Sequence, residues 1–402
     1  MALKNNVTIM RNYLKVIYRI MAAIFFWFFD FLAILSTPFN LKKSNRILVV
    51  RLDHIGDYLL WAPQIKPLRE IYPGPQYSMT LLANSAWASL AQETHQFDEV
   101  IAINVKQLKR FLPYRFSISR MIRRLGFGVL ISPVYSREFY GVDSIVRVSG
   151  APTTIGFGGD TSNIVPLLKR LTDNWYTKLI PGDFAHLSEL EKNAEFVRGL
   201  GGSPTYGLAA LHRPPSKISN SFDQHGYFVL VPGGSWKGRC WPTDKFIELS
   251  KRIEEKYGIP GFICGTAEER SLGDVINEGL KFALTNLCGQ TSIKQLLDVI
   301  GNARLLVTNE TGTVHLGAAV GTPTVCILGG GHFGRFFPYP SELMPHAAEA
   351  IYCPMECYGC NWNCIFQVPE NEAVPCIQSI SVEAVWQAAS NQLEKSRRIS
   401  EF

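Results

Sequence analysis

What the chain lacks narrows it first. It has no low-complexity tract and no short-period repeat, which excludes solenoids, collagen-like rods and disordered scaffolds. Only 18% of its residues are charged against 47% hydrophobic, ample for sizeable cores in a 402-residue chain of two domains. No Walker sequence is present. No small-residue cleavage site follows the apolar N-terminal run, so a removed signal peptide is not expected. Acid is nearly absent from the first 46 residues: Lys4, Arg11, Lys15, Arg19, Lys42, Lys43 and Arg46 stand against Asp30 alone. That arm accounts for the whole net charge of +6 and leaves the rest formally neutral. A nucleic-acid binder would carry its excess on a folded surface, so no nucleic-acid partner is expected.

Residues 20–35 are apolar and rich in aromatics. The run is shorter than the roughly 20 residues of a spanning helix and is interrupted by Asp30. With basic flanks it reads as a helix lying on an anionic membrane surface. Docking on the protein's own core and a full signal anchor are the alternatives.

Beyond the arm, short apolar runs alternate with helical periodicity, the pattern of parallel α/β sheets. In the first half, residues 46–51, 77–83, 100–103 and 127–132 read as strands. Helical spacing runs to residue 71, through 107–125 as a basic amphipathic helix, and over 187–200. Residues 155–159 read as a glycine-rich turn, and 160–185 show no clear period. The Pro-, Ser- and Asn-containing stretch 203–222 is the linker. In the second half, residues 227–231, 261–264, 304–308 and 323–328 read as strands, and 243–257, 292–300 and 311–320 as helices. A last helix over 382–393 is expected to pack back onto the N-terminal domain. The expected organisation is an apolar and basic arm (1–45) and two Rossmann-like domains (46–205 and 206–402) facing each other across a cleft.

Candidate chemistry lies where strands end, because open α/β sheets bind ligands there. After residue 51 come Asp53, His54, Gly56 and Asp57. A glycine lets a sugar approach and a carboxylate can take a hydroxyl proton; alternatively, Asp57 simply caps the next helix. After residue 231, Gly233, Gly234, Ser235, Lys237 and Arg239 make a glycine-rich loop with two cations, apt for a diphosphate. After residue 264, Glu268 and Glu269 suit either a ribose diol or a helix start. After residue 308, Glu310, Thr311, Gly312 and Thr313 open a helix whose free N–H groups suit a phosphate, with an ordinary capped turn as the alternative. His315 is either part of that site or a buried, hydrogen-bonded histidine. Cys353, Cys357, Cys360, Cys364 and Cys376 put five of nine cysteines in 24 residues. They suit a structural Zn2+ or an iron–sulfur cluster, or form a set of reduced thiols. Cys240, Cys264, Cys288 and Cys326 lie on or beside strands and read as buried apolar residues.

Three segments in order carry a family resemblance: Ile47-Leu-Val-Val-Arg-Leu-Asp-His-Ile-Gly-Asp-Tyr-Leu-Leu60, the loop from Pro232-Gly-Gly to Arg-Cys-Trp-Pro242, and Asn309-Glu-Thr-Gly-Thr-Val-His-Leu316 before Gly-Thr-Pro323. Together they resemble glycosyltransferase family 9, the ADP-heptose:lipopolysaccharide heptosyltransferases. The likeness covers about residues 46–395. It implies a GT-B fold with an N-terminal acceptor domain and a C-terminal nucleotide-sugar domain. It also implies inversion at the transferred sugar and no cofactor or metal for catalysis. The partners implied are a nucleotide-sugar donor and a lipid-linked or lipopolysaccharide acceptor, met at the cytoplasmic face of the inner membrane. The family's general base falls on Asp57, with Asp53, His54 and Gly56 on the acceptor side. The donor's diphosphate falls to residues 311–313 and the loop of Ser235, Lys237 and Arg239; the ribose-contacting acid matches Glu268 or Glu269. Glu310 stands where the family has Asp, Arg239 where it has Lys, and His315 follows the pattern. These departures, and members that use other sugars, make glycosyl transfer a firmer expectation than heptose. A nucleotide-sugar epimerase on the same fold and a non-catalytic nucleotide- or glycan-binding protein are the other readings.

Overall fold

The computed structural model describes residues 2–38, 44–212, 226–344 and 348–400. The second half of the expected linker, residues 213–222, lies outside them, as do Lys42 and Lys43. The chain forms two compact units: residues 1–54, 64–186 and 192–205, then 55–63, 187–191 and 206–402.

The first unit holds β1 (Arg46–Arg51), β2 (Ser78–Asn84), β3 (Glu99–Ile103), β4 (Val129–Ser132), β5 (Thr153–Phe157) and β6 (Lys178–Ile180). They form one parallel sheet in the order β3-β2-β1-β4-β5-β6. β1 is buried from Ile47 onward because both faces are covered, so its sequence is a continuous apolar run. Ile47 pairs with Met79 on one side and Val129 on the other. The helices are α1 (Ala2–Leu35), then, after α2 (Ile55–Trp61), which packs with the second unit, α3 (Ile65–Ile71), α4 (Ala88–Glu93), α5 (Val105–Arg110), α6 (Leu112–Leu125), α7 (Ser144–Ser149), α8 (Pro166–Asp173) and, from Lys192 onward, α9 (Glu189–Gly199).

Three sequence expectations change here. The basic helix over 107–125 is two helices: Asn104 caps α5, accepting from Gln107 N at 2.9 Å, and Pro113 opens α6. Its Arg115 is buried rather than solvated. Of the three glycines at 155–159 only Gly156 lies in β5, where a Cβ would lie 2.5 Å from the Tyr176 ring, so close packing explains that one; Gly158 and Gly159 follow the strand, and Gly159 has the positive φ of 66° that suits a turn. The stretch 160–185 contains α8 and β6.

The second unit repeats the winding with β7 (Phe228–Val231), β8 (Gly261–Ile263), β9 (Thr285–Asn286), β10 (Leu305–Asn309), β11 (Thr324–Ile327) and β12 (Ala348–Ile351), parallel in the order β12-β11-β10-β7-β8-β9. Its helices are α10 (Thr243–Tyr257), α11 (Arg270–Glu278), α12 (Ile293–Gly301), α13 (Gly312–Val320), α14 (Pro375–Gln378) and α15 (Val382–Ser400). Helix α15 belongs to the second unit. Its Val385, Ala389 and Leu393 join Leu230, Trp241 and Phe246 in the second unit's own core, where an apolar face one helix long finds a sheet to cover. Strand order reverses between β7 and β10, the position at which open parallel α/β sheets receive ligands, so the loops leaving these two strands are the candidate site.

Candidate donor site

Both strands at that reversal end in the loops singled out above. Asn309, the last residue of β10, ties them together. Its Nδ2 donates to Pro232 O (2.7 Å) and Gly233 O (3.1 Å), and its Oδ1 accepts from Trp241 N at 3.0 Å. The glycine-rich loop is thereby pinned to the start of α13.

Thr311 caps α13 with extended backbone, its hydroxyl accepting from Thr313 N. Thr313 Oγ1 lies 2.7 Å from both Thr308 Oγ1 and Thr311 Oγ1. The first turn of this buried helix therefore presents backbone N–H groups and hydroxyls together, an arrangement that receives anions. Helix α2 packs against it through glycines. A Cβ on Gly312 would lie 2.5 Å from Ile55 Cγ2, and one on Gly56 would lie 2.9 Å from His315 Cδ2. The close approach sets Gly56 and the following Asp57, half-buried in the first turn of α2, with α13. His54 is exposed at the end of β1 and Asp53 pairs with Arg51 at 3.0 Å, both in the first unit. The predicted acceptor trio is thus divided between the units.

Arg239 is the best-held cation. Its Nη2 donates to Glu310 O at 2.9 Å and reaches Glu310 Oε2 at 3.1 Å, and its Nη1 lies 3.4 Å from Ser235 Oγ. Its guanidinium sits 4.6 Å from the centroid of the Trp362 ring. Burial pushes the Glu310 carboxyl up to about 7, against the opposing pull of Arg239. Lys237 is exposed on the same loop. Glu269 closes a capping box with Thr266, accepting from Thr266 N at 2.7 Å, and crowds Gly233, where a Cβ would meet its Oε1. Glu268 is exposed beside it. His315 is buried, with Nδ1 2.7 Å from Tyr339 Oη, and burial lowers its pKa to about 4. It is a neutral ring at pH 7.

Trp362 and Tyr339 were missed in the sequence. They lie far along the chain from their partners, with no periodicity to mark them. Trp362 adopts a positive φ of 61°, as does Asn361 at 50°, and its Nε1 donates to His332 Nδ1 at 3.1 Å. His332 Nε2 in turn lies 2.6 Å from Asn361 Oδ1.

The cysteine loop supports this tryptophan. Cys357, Cys360, Cys364 and Cys376 line one small cavity with Trp362, Phe366 and Gly330, while Cys353 packs against the core. All five thiols are free. Their chemistry suits a soft metal, but among the described residues no three histidine, cysteine or acidic side chains are grouped as metal ligands. Cys240, Cys264, Cys288 and Cys326 are buried.

Comparison with known proteins bears on this geometry. The description "Glycosyltransferase family 9 (heptosyltransferase)" matches residues 143–357. The lipopolysaccharide heptosyltransferase 1 of Pseudomonas aeruginosa is 30% identical over 290 residues, 71% of this chain and 78% of that protein. Similarity to the lipooligosaccharide heptosyltransferase 2 of Campylobacter jejuni, at 26% identity, spans 51% of that relative's length and 42% of this chain. The solved Escherichia coli ADP-heptose lps heptosyltransferase II shares the fold at TM-score 0.63 and 15% identity, covering 88% of this chain and 99% of that one. With two doubly wound units, a glycine-rich loop and a helix start meeting at the second sheet's reversal, and this likeness, the chain belongs to glycosyltransferase family 9, the heptosyltransferases.

Proposed function

We propose that the protein transfers heptose from ADP-heptose to a hydroxyl of a lipopolysaccharide or related surface-glycan acceptor, with inversion, at the cytoplasmic face of the inner membrane. Asp57 takes the proton of the acceptor hydroxyl. That oxygen attacks the anomeric carbon from the face opposite the leaving group, and the bond to the diphosphate oxygen breaks. The N–H groups at Thr311–Thr313 and the cations Arg239 and Lys237 take up the charge that builds on the leaving diphosphate. Glu268 and Glu269 stand on the ribose side. The name of the Escherichia coli neighbour supports the donor. The observation that carries the reading is the glycine contact of α2 with α13, which sets a carboxylate, Asp57, beside the helix start apt for a diphosphate.

Asp57→Asn tests it. Transfer should fall by roughly 100-fold or more, while binding of ADP, read by thermal shift, stays within error of wild type. Wild-type transfer rates in the variant would remove Asp57 from the mechanism. A thermal shift with UDP or GDP in place of ADP would remove ADP-heptose.

The thiol loop carries a structural proposal with no step of the reaction attached. Four thiols on one cavity support a Zn2+ or iron centre that orders the loop on closing around it. Metal analysis of protein purified without chelator should find about one ion per chain, lost together in Cys357→Ser and Cys360→Ser. Metal-free, fully folded protein would leave the loop as a set of reduced thiols.

A further inference from the structure

Helix α1 offers a second question. Its segment Ile17–Leu35, 19 residues, is long and apolar enough to cross a bilayer. Yet this segment is fastened to the first unit at several points. Asp30, flanked on the same face by the buried small residues Ala23 and Ala33, accepts from Arg115 Nε and Nη2 at 2.7 Å each and from Ser144 Oγ at 2.6 Å. Arg115 comes from α6, is 1% exposed, and also donates to Tyr140 O at 2.9 Å. Further along, Tyr140 Oη donates to Arg19 O (2.6 Å), Arg147 lies 4.4 Å from the Trp27 ring centroid, and Arg123 Nε donates to Thr37 O (2.7 Å).

The opposite face is bare. Tyr18, Met21, Phe25, Phe28, Leu32 and Leu35 recur at spacings of three and four, one helical stripe, and are 37–74% exposed. A second element continues the apolar surface. Leu168 of α8 shares a core with Ala23 of α1, and the same short helix leaves Leu167 and Leu171 62% and 44% exposed. Arg19 and Arg170 are exposed beside these residues, and the acid of α1, Asp30, is spent internally. An apolar, aromatic stripe with cations at its margin fits the interface of an anionic bilayer.

We propose that α1 lies in the plane of an anionic membrane surface, on the same side as the folded units, with its stripe and Leu167 and Leu171 of α8 immersed together. Crossing the bilayer instead would pull Asp30 into hydrocarbon and leave the Arg115 guanidinium buried without its carboxylate. This deepens the membrane placement in the proposed function, but its test uses no nucleotide or sugar and so stands or falls apart from Asp57.

The full chain, tagged at both ends behind protease sites, is reconstituted into sealed vesicles of equimolar phosphatidylcholine and phosphatidylglycerol and, separately, of phosphatidylcholine alone. Both tags should be cleaved from the same molecules, and binding should be stronger to the anionic vesicles and weaken with salt. The double variant Leu167→Glu, Leu171→Glu, its fold verified by thermal melting, should lose binding by about tenfold or more, as should Phe25→Glu with Phe28→Glu. An N-terminal tag protected on molecules whose C-terminal tag is cut would show a crossing helix and overturn the proposal. So would unchanged binding by the α8 variant, or equal binding to neutral vesicles. Self-association without lipid that either double variant abolishes would assign the face to a second copy of the chain.

Discussion

Arg239 is held from three directions: a carboxylate, a carbonyl and a ring. Glu310 gives it charge and main-chain oxygen, and Trp362 gives it a π face. A guanidinium so fixed presents its remaining donors in one orientation, which a lysine on a flexible stem would not do. Trp362 is itself constrained at positive φ, a conformation that costs a non-glycine residue free energy and persists only where its surroundings enforce it. Its bond to His332 and its edge-to-face contact with Trp236, centroids 6.1 Å apart, are those surroundings. Trp362→Ala should therefore weaken ADP binding by roughly two- to thirtyfold, the range of a partly desolvated cation–π contact, without changing the melting temperature by more than a few degrees. Calorimetric titration of ADP measures it. Unchanged affinity would mean that Arg239 does not meet the diphosphate.

At the scale of elements, what the sequence disclosed depended on burial. β7, β10 and β11 are enclosed on both sides, so each is a short apolar run bounded by glycine, proline or a turn, and each was readable. Helix α10 was readable to the residue, because its amphipathic spacing ends at Gly258 in the left-handed conformation. The edge strands of this same sheet were not. β9 is two residues long and β12 is a half-buried Ala-Glu-Ala-Ile, too short or too polar to mark a period. The break between α5 and α6 was hidden because basic amphipathic spacing continues across Phe111 and Pro113. In the site, the loops were legible as strand ends rich in glycine, threonine and cations. Their clasp by Asn309 and the support of Arg239 by Trp362 were not, since both depend on which distant residues the sheet order brings together.

For the whole molecule, the buried titratable groups of the second unit pull stability in opposite directions with pH. Glu310 has a folded pKa of about 7, above its ordinary 4.5. Its fold-derived preference is for the proton, so its contribution is fully present below 4.5 and is lost as pH rises through about 7. His315 has a folded pKa of about 4, below its ordinary 6.5. Its fold prefers the neutral ring, so its contribution is fully present above 6.5 and is lost as pH falls toward 4. Each shift corresponds to ~3 kcal/mol across its window. Two isosteric variants separate them. Glu310→Gln is neutral at every pH, so its stability relative to wild type should climb between pH 4.5 and 7 and level off above. His315→Gln cannot take the proton, so its stability relative to wild type should be lowest above pH 6.5 and recover as pH falls toward 4. Denaturant midpoints of the three proteins across that range supply the measurement. Parallel curves for wild type and Glu310→Gln would show that Arg239 keeps the Glu310 carboxylate ionised throughout, and the charge of the glycine-rich loop would then be fixed rather than pH-dependent. Opposed curves would mean that the loop gains a positive charge as the pH drops below 7, so ADP should bind more tightly at pH 6 than at pH 8, in wild type but not in Glu310→Gln.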